Sequence, residues 1–307
     1  MKKLSVIIGI ILIATQFLGA VEERIEKSFN VNKGGTLYID SQSGSIKVLP
    51  QNKDEVDVLI IFESKMGSLN KLRQDIKELN LKIGKDGDDV HILLEREDDS
   101  FFSSWWKKFN VKFEISVPKK YDVDLKTSGG SITVGDLDGT VLSKTSGGSL
   151  KFGKITGKVE GKTSGGSIRL EGCQGPVNVK TSGGSITIGE VMGTVNAHTS
   201  GGSISVEEVM GAIKAYTSGG SVNANITKQP KNDCELKTSG GSINVHLTED
   251  IQVDVDAKTS GGRIRTDFPV MMQGEISNNS LNAEINGGGP MLLLRTSGGG
   301  ISIKKIQ

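Results

Sequence analysis

A basic side chain recurs immediately before a repeated tetrapeptide, Thr-Ser-Gly-Gly, and this row is the feature of the sequence best suited to binding a ligand. The tetrapeptide occurs nine times, and His198 and Tyr216 replace the cation before two of the copies. If the repeats stack as neighbouring strands, these side chains come about 4.8 Å apart along one edge. Such a row could hold an anionic polymer by repeated charge contacts. The predicted polyanion-binding ridge contains Lys126, Lys144, Lys162, Lys180, Lys237, Lys258 and Arg295.

Acidic residues accompany this ridge. Asp124, Glu160, Glu235 and Asp256 each lie two residues before a ridge position. Strand alternation places residues two apart on the same face, so these carboxylates would partly neutralise the cations. An ordinary solvated face of mixed charge is therefore the alternative interpretation of the ridge.

Side chains suited to catalysis or metal binding are few and scattered. His91, His198 and His246 do not cluster and lack metal-ligand spacing. The repeated Ser has no positioned base to activate it, and the Gly-Gly-x-Gly-x-Asp pattern of calcium-binding rolls is missing. We therefore expect no enzymatic activity, no cofactor and no metal site. A polysaccharide-active β-helix enzyme is a minor alternative, although such enzymes carry clustered carboxylates and the acidic residues here are scattered.

The elements that would position the ridge follow from apolar residues that recur with period two. Val123 precedes the first tetrapeptide while Ile132 and Val134 follow it, and this alternation indicates strands. The first six copies are 18 residues apart, and the later gaps are 21, 21 and 37 residues. Eighteen residues hold two or three strands plus corners, and such units stack on copies of themselves. The sequence thus predicts an all-β, single-stranded parallel β-solenoid with Ile and Val inside.

The coil of this solenoid is expected to be right-handed, because parallel crossovers nearly always are. A left-handed helix also uses 18 residues per coil, so both hands stay open. Each Thr of the tetrapeptide shares parity with the inward Val series, and its glycines are expected to hold backbone angles that a β-branched residue resists. These predicted turn glycines are Gly129, Gly130, Gly147, Gly148, Gly165, Gly166, Gly183, Gly184, Gly201, Gly202, Gly219, Gly220, Gly240, Gly241, Gly261, Gly262, Gly298 and Gly299.

Two degenerate copies of the repeat lie outside the series. One spans residues 41–48, and the other spans residues 276–281, where Asn replaces the turn glycines. Asn is the next residue to tolerate a left-handed backbone. With these copies, about ten coils are expected to stack, mostly between residues 122 and 305.

The two cysteines, Cys173 and Cys234, occupy inward apolar positions of the repeat. They fall three coils apart, about 14 Å at the strand spacing, which is beyond the reach of a disulfide. We therefore expect buried free thiols.

The N-terminal third differs from the repeats. Residues 1–20 have two lysines, an apolar run and small residues at the end, which predicts a signal peptide and export to the periplasm, the cell surface or the medium. An uncleaved anchor is the alternative. Residues 21–121 are expected to form a β-rich cap with one amphipathic helix at 69–79, and residues 122–307 the solenoid. The aromatic segment 101–109 either packs the cap on the first coil or docks on a membrane or partner.

Charge excludes one class of partner. The chain carries 37 basic and 36 acidic residues, and a near-neutral balance makes nucleic acid an unsuitable ligand.

Three segments carry a resemblance to a known family. Residues 258–270 read Lys-Thr-Ser-Gly-Gly-Arg-Ile-Arg-Thr-Asp-Phe-Pro-Val, residues 285–290 read Ile-Asn-Gly-Gly-Gly-Pro, and residues 295–298 read Arg-Thr-Ser-Gly. Together with the upstream repeats they resemble the bacterial putative-adhesin domain family, a domain of unknown function, over about residues 30–305. The resemblance implies a secreted or envelope-attached β-solenoid with an adhesin label, and it supplies no catalytic or binding residues.

These observations predict a non-enzymatic, extracytoplasmic, adhesin-like binding or structural protein that presents a repetitive β-solenoid surface. Its partner is not specified by the sequence, and the candidates are envelope polysaccharide, another anionic polymer or an envelope protein. The alternative is an envelope-stress accessory or scaffold protein that acts through an envelope protein bound at the cap.

Overall fold

The computed structural model describes residues 16–17, 20–64, 68–96, 110–272 and 278–306. Most of the predicted signal peptide and all of the aromatic segment 101–109 lie outside these residues. The chain divides into two compact units, Met1–Gly153 and Lys154–Gln307. The cap boundary expected at residue 121 stays a prediction.

The first unit contains twelve strands and one helix within the described residues. They are β1 (Gln16–Phe17), β2 (Ala20–Asn30), β3 (Thr36–Ser41), β4 (Ser45–Gln51), β5 (Glu55–Ser64), α1 (Leu69–Lys77), β6 (Leu79–Asp86), β7 (Asp89–Arg96), β8 (Asn110–Pro118), β9 (Asp122–Thr127), β10 (Ile132–Val134), β11 (Val141–Thr145) and β12 (Leu150–Ile155), which ends just past the unit's boundary.

Two sheets build the first unit. One has the order β1-β2-β5-β8-β4-β10-β12, and the other has the order β11-β9-β3-β7-β6. Strands β4 and β10 are parallel, with Ile46 beside Ile132, and β3 lies parallel to β9, with Ser41 beside Thr127. The degenerate copy at residues 41–48 is therefore a true coil, as predicted. Beyond it, β5 pairs antiparallel with both β2 and β8, so this sheet continues as antiparallel strands.

Helix α1 confirms the short helix expected in the N-terminal region. The Ser68 side chain caps it by accepting a hydrogen bond from the backbone N–H of Lys71 at 3.3 Å. Leu72 is buried, and Arg73 pairs with the buried Glu23 of β2 at 3.1 Å. The helix is shorter than its apolar stripe, because Leu79 begins strand β6 instead. No helix in the described ranges is both long and apolar enough to cross a membrane.

The second unit repeats a two-strand coil. Its strands are β13 (Val159–Lys162), β14 (Ile168–Cys173), β15 (Val177–Lys180), β16 (Ile186–Val191), β17 (Val195–His198), β18 (Ile204–Val209), β19 (Ile213–Tyr216), β20 (Val222–Ile226), β21 (Cys234–Lys237), β22 (Ile243–Leu247), β23 (Val253–Thr259), β24 (Ile264–Thr266), β25 (Val270–Met272), β26 (Ser280–Ile285), β27 (Met291–Thr296) and β28 (Ile301–Lys305).

Apolar ladders fill the inside of these coils. Ile186 of β16 lies in register with Ile168 and Ile204 of the flanking coils, and Val195 of β17 lies in register with Val177 and Ile213. Residues of this kind are almost fully buried. Each coil contributes one strand to each of two parallel sheets, and the 18-residue period keeps like residues stacked. The β-solenoid predicted from the repeat is confirmed.

The Thr of each tetrapeptide is a hydrogen-bonded part of this interior. Thr181 is fully buried, and its hydroxyl donates to the carbonyl oxygen of Gly166 in the preceding coil at 2.7 Å. The Thr181 hydroxyl oxygen in turn accepts a hydrogen bond from the N–H of Gly184 at 3.4 Å. Thr199 and Thr217 repeat the donation to Gly184 and Gly202 at 2.7 Å. The repeated hydroxyls therefore join consecutive coils at one corner.

The second glycine of the tetrapeptide is required for a different reason from the one expected. The positive-φ glycines in the described residues are Gly34, Gly44, Gly87, Gly287 and Gly288, and no tetrapeptide glycine is among them. A Cβ on Gly184 would instead lie 2.3 Å from the carbonyl oxygen of Gly166. The second glycine is thus needed because adjacent corners stack too closely for a side chain.

The order of the last coils differs from their order along the chain. The sheets of the second unit run β14-β16-β18-β20-β22-β28-β24 and β13-β15-β17-β19-β21-β27-β23-β26-β25. The coil of Thr296 therefore lies between the coils of Thr238 and Thr259. The Thr296 hydroxyl donates to Gly241, and the Thr259 hydroxyl donates to Gly299.

The degenerate copy expected at residues 276–281 is not a parallel coil. Its described part leads into β26, which pairs antiparallel with β23, with Leu281 beside Ala257. Strand β25 then pairs antiparallel with β26. This correction lowers the expected number of coils, because a reversed strand covers the outer edge of β23 and ends the parallel stack there.

Cys173 and Cys234 are both buried and free, as predicted. Burial raises the pKa of each thiol above its ordinary value.

Candidate polyanion-binding ridge

The ridge residues of the first unit lie in β9 and β11. Lys144 is in register with Lys126, and Asp40 of β3 is in register on the other side of Lys126. Both lysines are exposed. Lys126 pairs with Asp124 of its own strand at 3.5 Å, whereas Lys144 forms no ion pair with a described residue. This unit therefore contributes one compensated and one uncompensated cation.

The ridge of the second unit crosses seven neighbouring strands. Register pairs connect Lys162 with Lys180, Lys180 with His198, His198 with Tyr216, and Tyr216 with Lys237. The row then continues to two residues that the coil exchange brings in. Arg295 of β27 is beside Lys237, and Lys258 of β23 is beside Arg295.

Carboxylates neutralise only part of this row. Glu235 pairs with Lys237, and Asp256 pairs with Arg295 of the neighbouring strand rather than with Lys258 of its own. Glu160 pairs at 2.6 Å with Lys158, which lies outside the ridge. Within the described part of the chain, Lys162, Lys180 and Lys258 consequently form no ion pair. The sequence pattern predicts partial neutralisation along each strand, but it does not show that Asp256 pairs across strands with Arg295 or that Glu160 pairs with Lys158.

Tyr216 is the one ridge position with a phenol. Its hydroxyl donates a hydrogen bond to Glu235. Burial, followed by this contact with Glu235, raises the pKa of Tyr216 to about 12. The pKa of Glu235 is lowered on balance: burial raises it, but hydrogen bonds from Lys237 and Tyr216 outweigh that effect. The Lys237 ammonium lies 5.8 Å from the centre of the Tyr216 ring, and the His198 ring lies 6.3 Å away on the other side.

A groove follows this part of the ridge in the second unit. Its volume is about 370 Å³, and its lining includes His198, Tyr216, Lys237, Lys258 and Arg295. Serines of the tetrapeptides line the same groove, one from each of four coils: Ser218, Ser239, Ser260 and Ser297. Sequence reasoning placed the cations on one edge. Sequence reasoning did not predict that the coil of Thr296 places Arg295 between Lys237 and Lys258. The 37-residue gap before Thr296 is the sequence signal that marks this coil as irregular.

A second concave surface lies on the first unit. It has a volume of about 630 Å³ and is lined by β2, β4, β5 and β8. Leu49 in it is 40% exposed, and Phe29, Leu59, Lys47 and Glu114 also line this surface.

The three histidines occupy separate places, and each has a local partner. The His91 ring stacks on Tyr38 at 4.7 Å between centroids, and His246 Nδ1 lies 3.0 Å from Asn225 Oδ1. Among the described residues, no group of three or more His, Cys, Asp or Glu side chains could hold a metal ion.

The fold and the stacked ridge define this protein as a parallel β-solenoid with a repetitive charged face. The chain belongs to the Toastrack DUF4097 family, whose model matches residues 36–304. The resemblance to a putative-adhesin family of unknown function is thereby confirmed.

Several solved structures are similar to this chain at low identity. A putative adhesin from Bacteroides fragilis NCTC 9343 is 14% identical, with 92% of this chain and 97% of that chain covered and a TM-score of 0.42. A putative lipid binding protein from Parabacteroides distasonis ATCC 8503 is 13% identical, with the same coverages and a TM-score of 0.43. A putative cell adhesion protein from Clostridium sporogenes ATCC 15579 is 14% identical, with 92% and 100% covered and a TM-score of 0.24. No curated protein matches this chain.

Proposed function

We propose that this protein is a non-enzymatic, exported, adhesin-like binding protein whose ridge contacts an anionic polymer of the cell envelope. The observation that carries the proposal is the set of ridge lysines without carboxylate partners among the described residues, Lys144, Lys162, Lys180 and Lys258. The signal-like N-terminus supports export, and adhesin-like relatives agree with a surface role.

Binding of this kind relies on many weak contacts. An exposed ion pair contributes about 0.2–1 kcal/mol, so one lysine cannot retain a polymer alone. Several contacts along one chain add through effective concentration. Salt weakens each contact, since exposed charges are screened within about 8 Å at physiological ionic strength.

The test is retention on an anionic polymer column at rising salt. Changing Lys126, Lys144, Lys162 and Lys180 together to Gln is expected to abolish retention while the melting curve stays intact. The matched control removes four exposed lysines from elsewhere on the two units, Lys47, Lys151, Lys228 and Lys304, and is expected to be retained. Equal loss of retention in both variants would refute the proposal, because net charge alone would then explain binding. Failure of the unmodified protein to be retained would refute it as well, because the ridge would then bind no anionic polymer.

A second function, docking of an envelope protein on the first unit, is favoured by the 630 Å³ concave surface with its exposed Leu49. Chemical cross-linking in the native envelope would test it. Leu49→Asp is expected to lose a specific cross-linked partner, while Met192→Asp, at a side chain 53% exposed in the second unit, keeps it. Retention by both variants would count against docking at this surface.

A further inference from the structure

The groove beside Tyr216 differs from the rest of the ridge because three cations, two rings and a row of hydroxyls converge there. Five neighbouring strands, β17, β19, β21, β27 and β23, present His198, Tyr216, Lys237, Arg295 and Lys258 in that order. At about 4.8 Å per strand, they span about 19 Å. The groove that they line has a volume of about 370 Å³.

Arg295 and Lys237 are held by contacts with the protein, whereas the Lys258 ammonium has no ion pair among the described residues, and all three cations keep free hydrogen-bond donors. Arg295 Nη1 donates to the carbonyl oxygens of Asp256 at 2.7 Å and Leu294 at 3.1 Å, and Nη2 pairs with the Asp256 carboxylate. A guanidinium has five N–H donors, so these three contacts leave two for a ligand. Lys237 pairs with Glu235 and retains two donors. Lys258 retains all three.

The remaining lining suits a sugar better than a bare polyanion. The Tyr216 and His198 rings offer apolar surface at one end, as the amphipathic rings of binding sites commonly do. Hydroxyls of Ser218, Ser239 and Ser260, one per coil, can both donate to and accept from ligand hydroxyls. An inorganic polyphosphate would use the cations and the hydroxyls but would leave the two rings without a role.

The spacing between neighbouring strands also fits a polysaccharide. The strand separation of about 4.8 Å is close to the advance of one sugar residue in an extended polysaccharide. A polymer with one carboxylate on every sugar would therefore meet successive cations of Lys237, Arg295 and Lys258 in register.

We infer that this groove binds a linear acidic polysaccharide carrying one carboxylate per sugar, with the polymer running across the strands. The inference rests on the proposed function and names the ligand class of the same face. The cation end of the groove pairs with carboxylates, and the Tyr216 end contacts the apolar face of a sugar ring.

The test compares polygalacturonate, inorganic polyphosphate and neutral dextran as ligands of the full chain, by titration calorimetry. Polygalacturonate is expected to bind more tightly than polyphosphate at equal charge concentration, and dextran is expected not to bind. Lys258→Gln should weaken polygalacturonate about fivefold, the effect of losing one exposed ion pair. Its matched control, Lys162→Gln, removes an unpaired ridge lysine outside the groove and should have a smaller effect. Tyr216→Ala should weaken polygalacturonate without weakening polyphosphate.

The outcomes separate the two proposals. Equal binding of polygalacturonate and polyphosphate, or equal losses for Lys258→Gln and Lys162→Gln, overturns the saccharide groove while the ridge proposal stands. Absence of binding to every anionic polymer overturns both. Thermal melting of each variant verifies folding, and Tyr216→Phe, which keeps the ring, is expected to retain polygalacturonate if Tyr216→Ala loses stability.

Discussion

Replacing Gly184 by Ala tests the explanation of the tetrapeptide glycines. The added Cβ would lie 2.3 Å from the Gly166 oxygen, 2.5 Å from the Gly166 carbonyl carbon and 2.6 Å from Ser167 Cα. All three atoms are backbone atoms of the neighbouring coil, so no side chain can turn away to make room. An ordinary van der Waals contact begins near 3.4 Å, and the corner must therefore open by about 1 Å.

The expected loss of stability follows from the hydrogen bonds that this opening breaks. Lengthening by about 1 Å carries the 2.7 Å hydrogen bond from Thr181 to Gly166 and the 2.9 Å bond from Gly183 N–H to Ser164 beyond hydrogen-bond range. Two lost bonds cost about 2 kcal/mol, and overpacking adds about 1–3 kcal/mol. We expect the free energy of unfolding to fall by about 4 kcal/mol, a decrease in Tm of about 10 °C for a unit of this size.

Thermal unfolding, monitored by circular dichroism, measures this loss of stability. Two control variants with progressively milder contacts complete the series. Gly183→Ala places its Cβ 3.1 Å from the Gly165 oxygen, and Gly129→Ala places it 3.8 Å from Ser43 Oγ. The losses of stability should rank Gly184 above Gly183 above Gly129, with Gly129→Ala within about 1 kcal/mol of the parent. A Tm of Gly184→Ala within 2 °C of the parent, or equal losses at all three positions, would refute the steric explanation.

Three further results are expected. Thr181→Val keeps the shape but removes the donor to Gly166, and it should cost about 1–3 kcal/mol by chemical denaturation; an unchanged midpoint would show that this hydroxyl does not join the coils. Cys173 and Cys234 should react with a thiol reagent only after denaturation, without reductant, because burial raises both thiol pKa values; an intact mass two hydrogens lighter would instead mean a disulfide. The pKa of Asp88 is lowered from 3.8, chiefly by the backbone N–H of Asn32, so its stabilising effect is present above pH 3.8 and is lost as pH falls through the lower folded value. Asp88→Ala should therefore melt below the parent at pH 7 and approach it at acid pH, and a gap that stays constant with pH would contradict this assignment.

Local periodicity was sufficient to predict the coil itself. The apolar alternation around residues such as Ile186 and Val195 predicts strands. Thr181 lies an even number of residues from the inward-facing valine of its strand, and this predicts its burial. The sequence Ser-Gly-Ser-Ile predicts the degenerate copy at residues 41–48. Each of these features depends on neighbours within one repeat, which is the range over which sequence patterns act.

The order of coils could not be predicted, because nearly identical coils fit beside one another equally well. Nothing in the repeat of Thr296 specifies insertion between the coils of Thr238 and Thr259 rather than stacking beyond the coil of Thr259. The ion pairs of Asp256 and Arg295 depend on that order, so the arrangement of the groove was also beyond sequence reasoning. The steric need for glycine was also beyond local sequence reasoning, because the clash joins atoms of residues that are 18 positions apart in the chain, such as Gly184 and Gly166. A sequence pattern within one repeat points only to backbone angles.

The inserted position of β27 and β28 sets a condition on how the second unit can form during synthesis. A solenoid built in chain order can add each coil as soon as it leaves the ribosome or the export channel. Here the coil of Thr259 emerges before the strands that it must contact, and its parallel partners β27 and β28 are made later. Strands β23 and β24 must therefore wait for residues 291–305, or pair first with β21 and β22, respectively, and be displaced. The end of the parallel stack is completed last, by the segment nearest the C-terminus of the sequence.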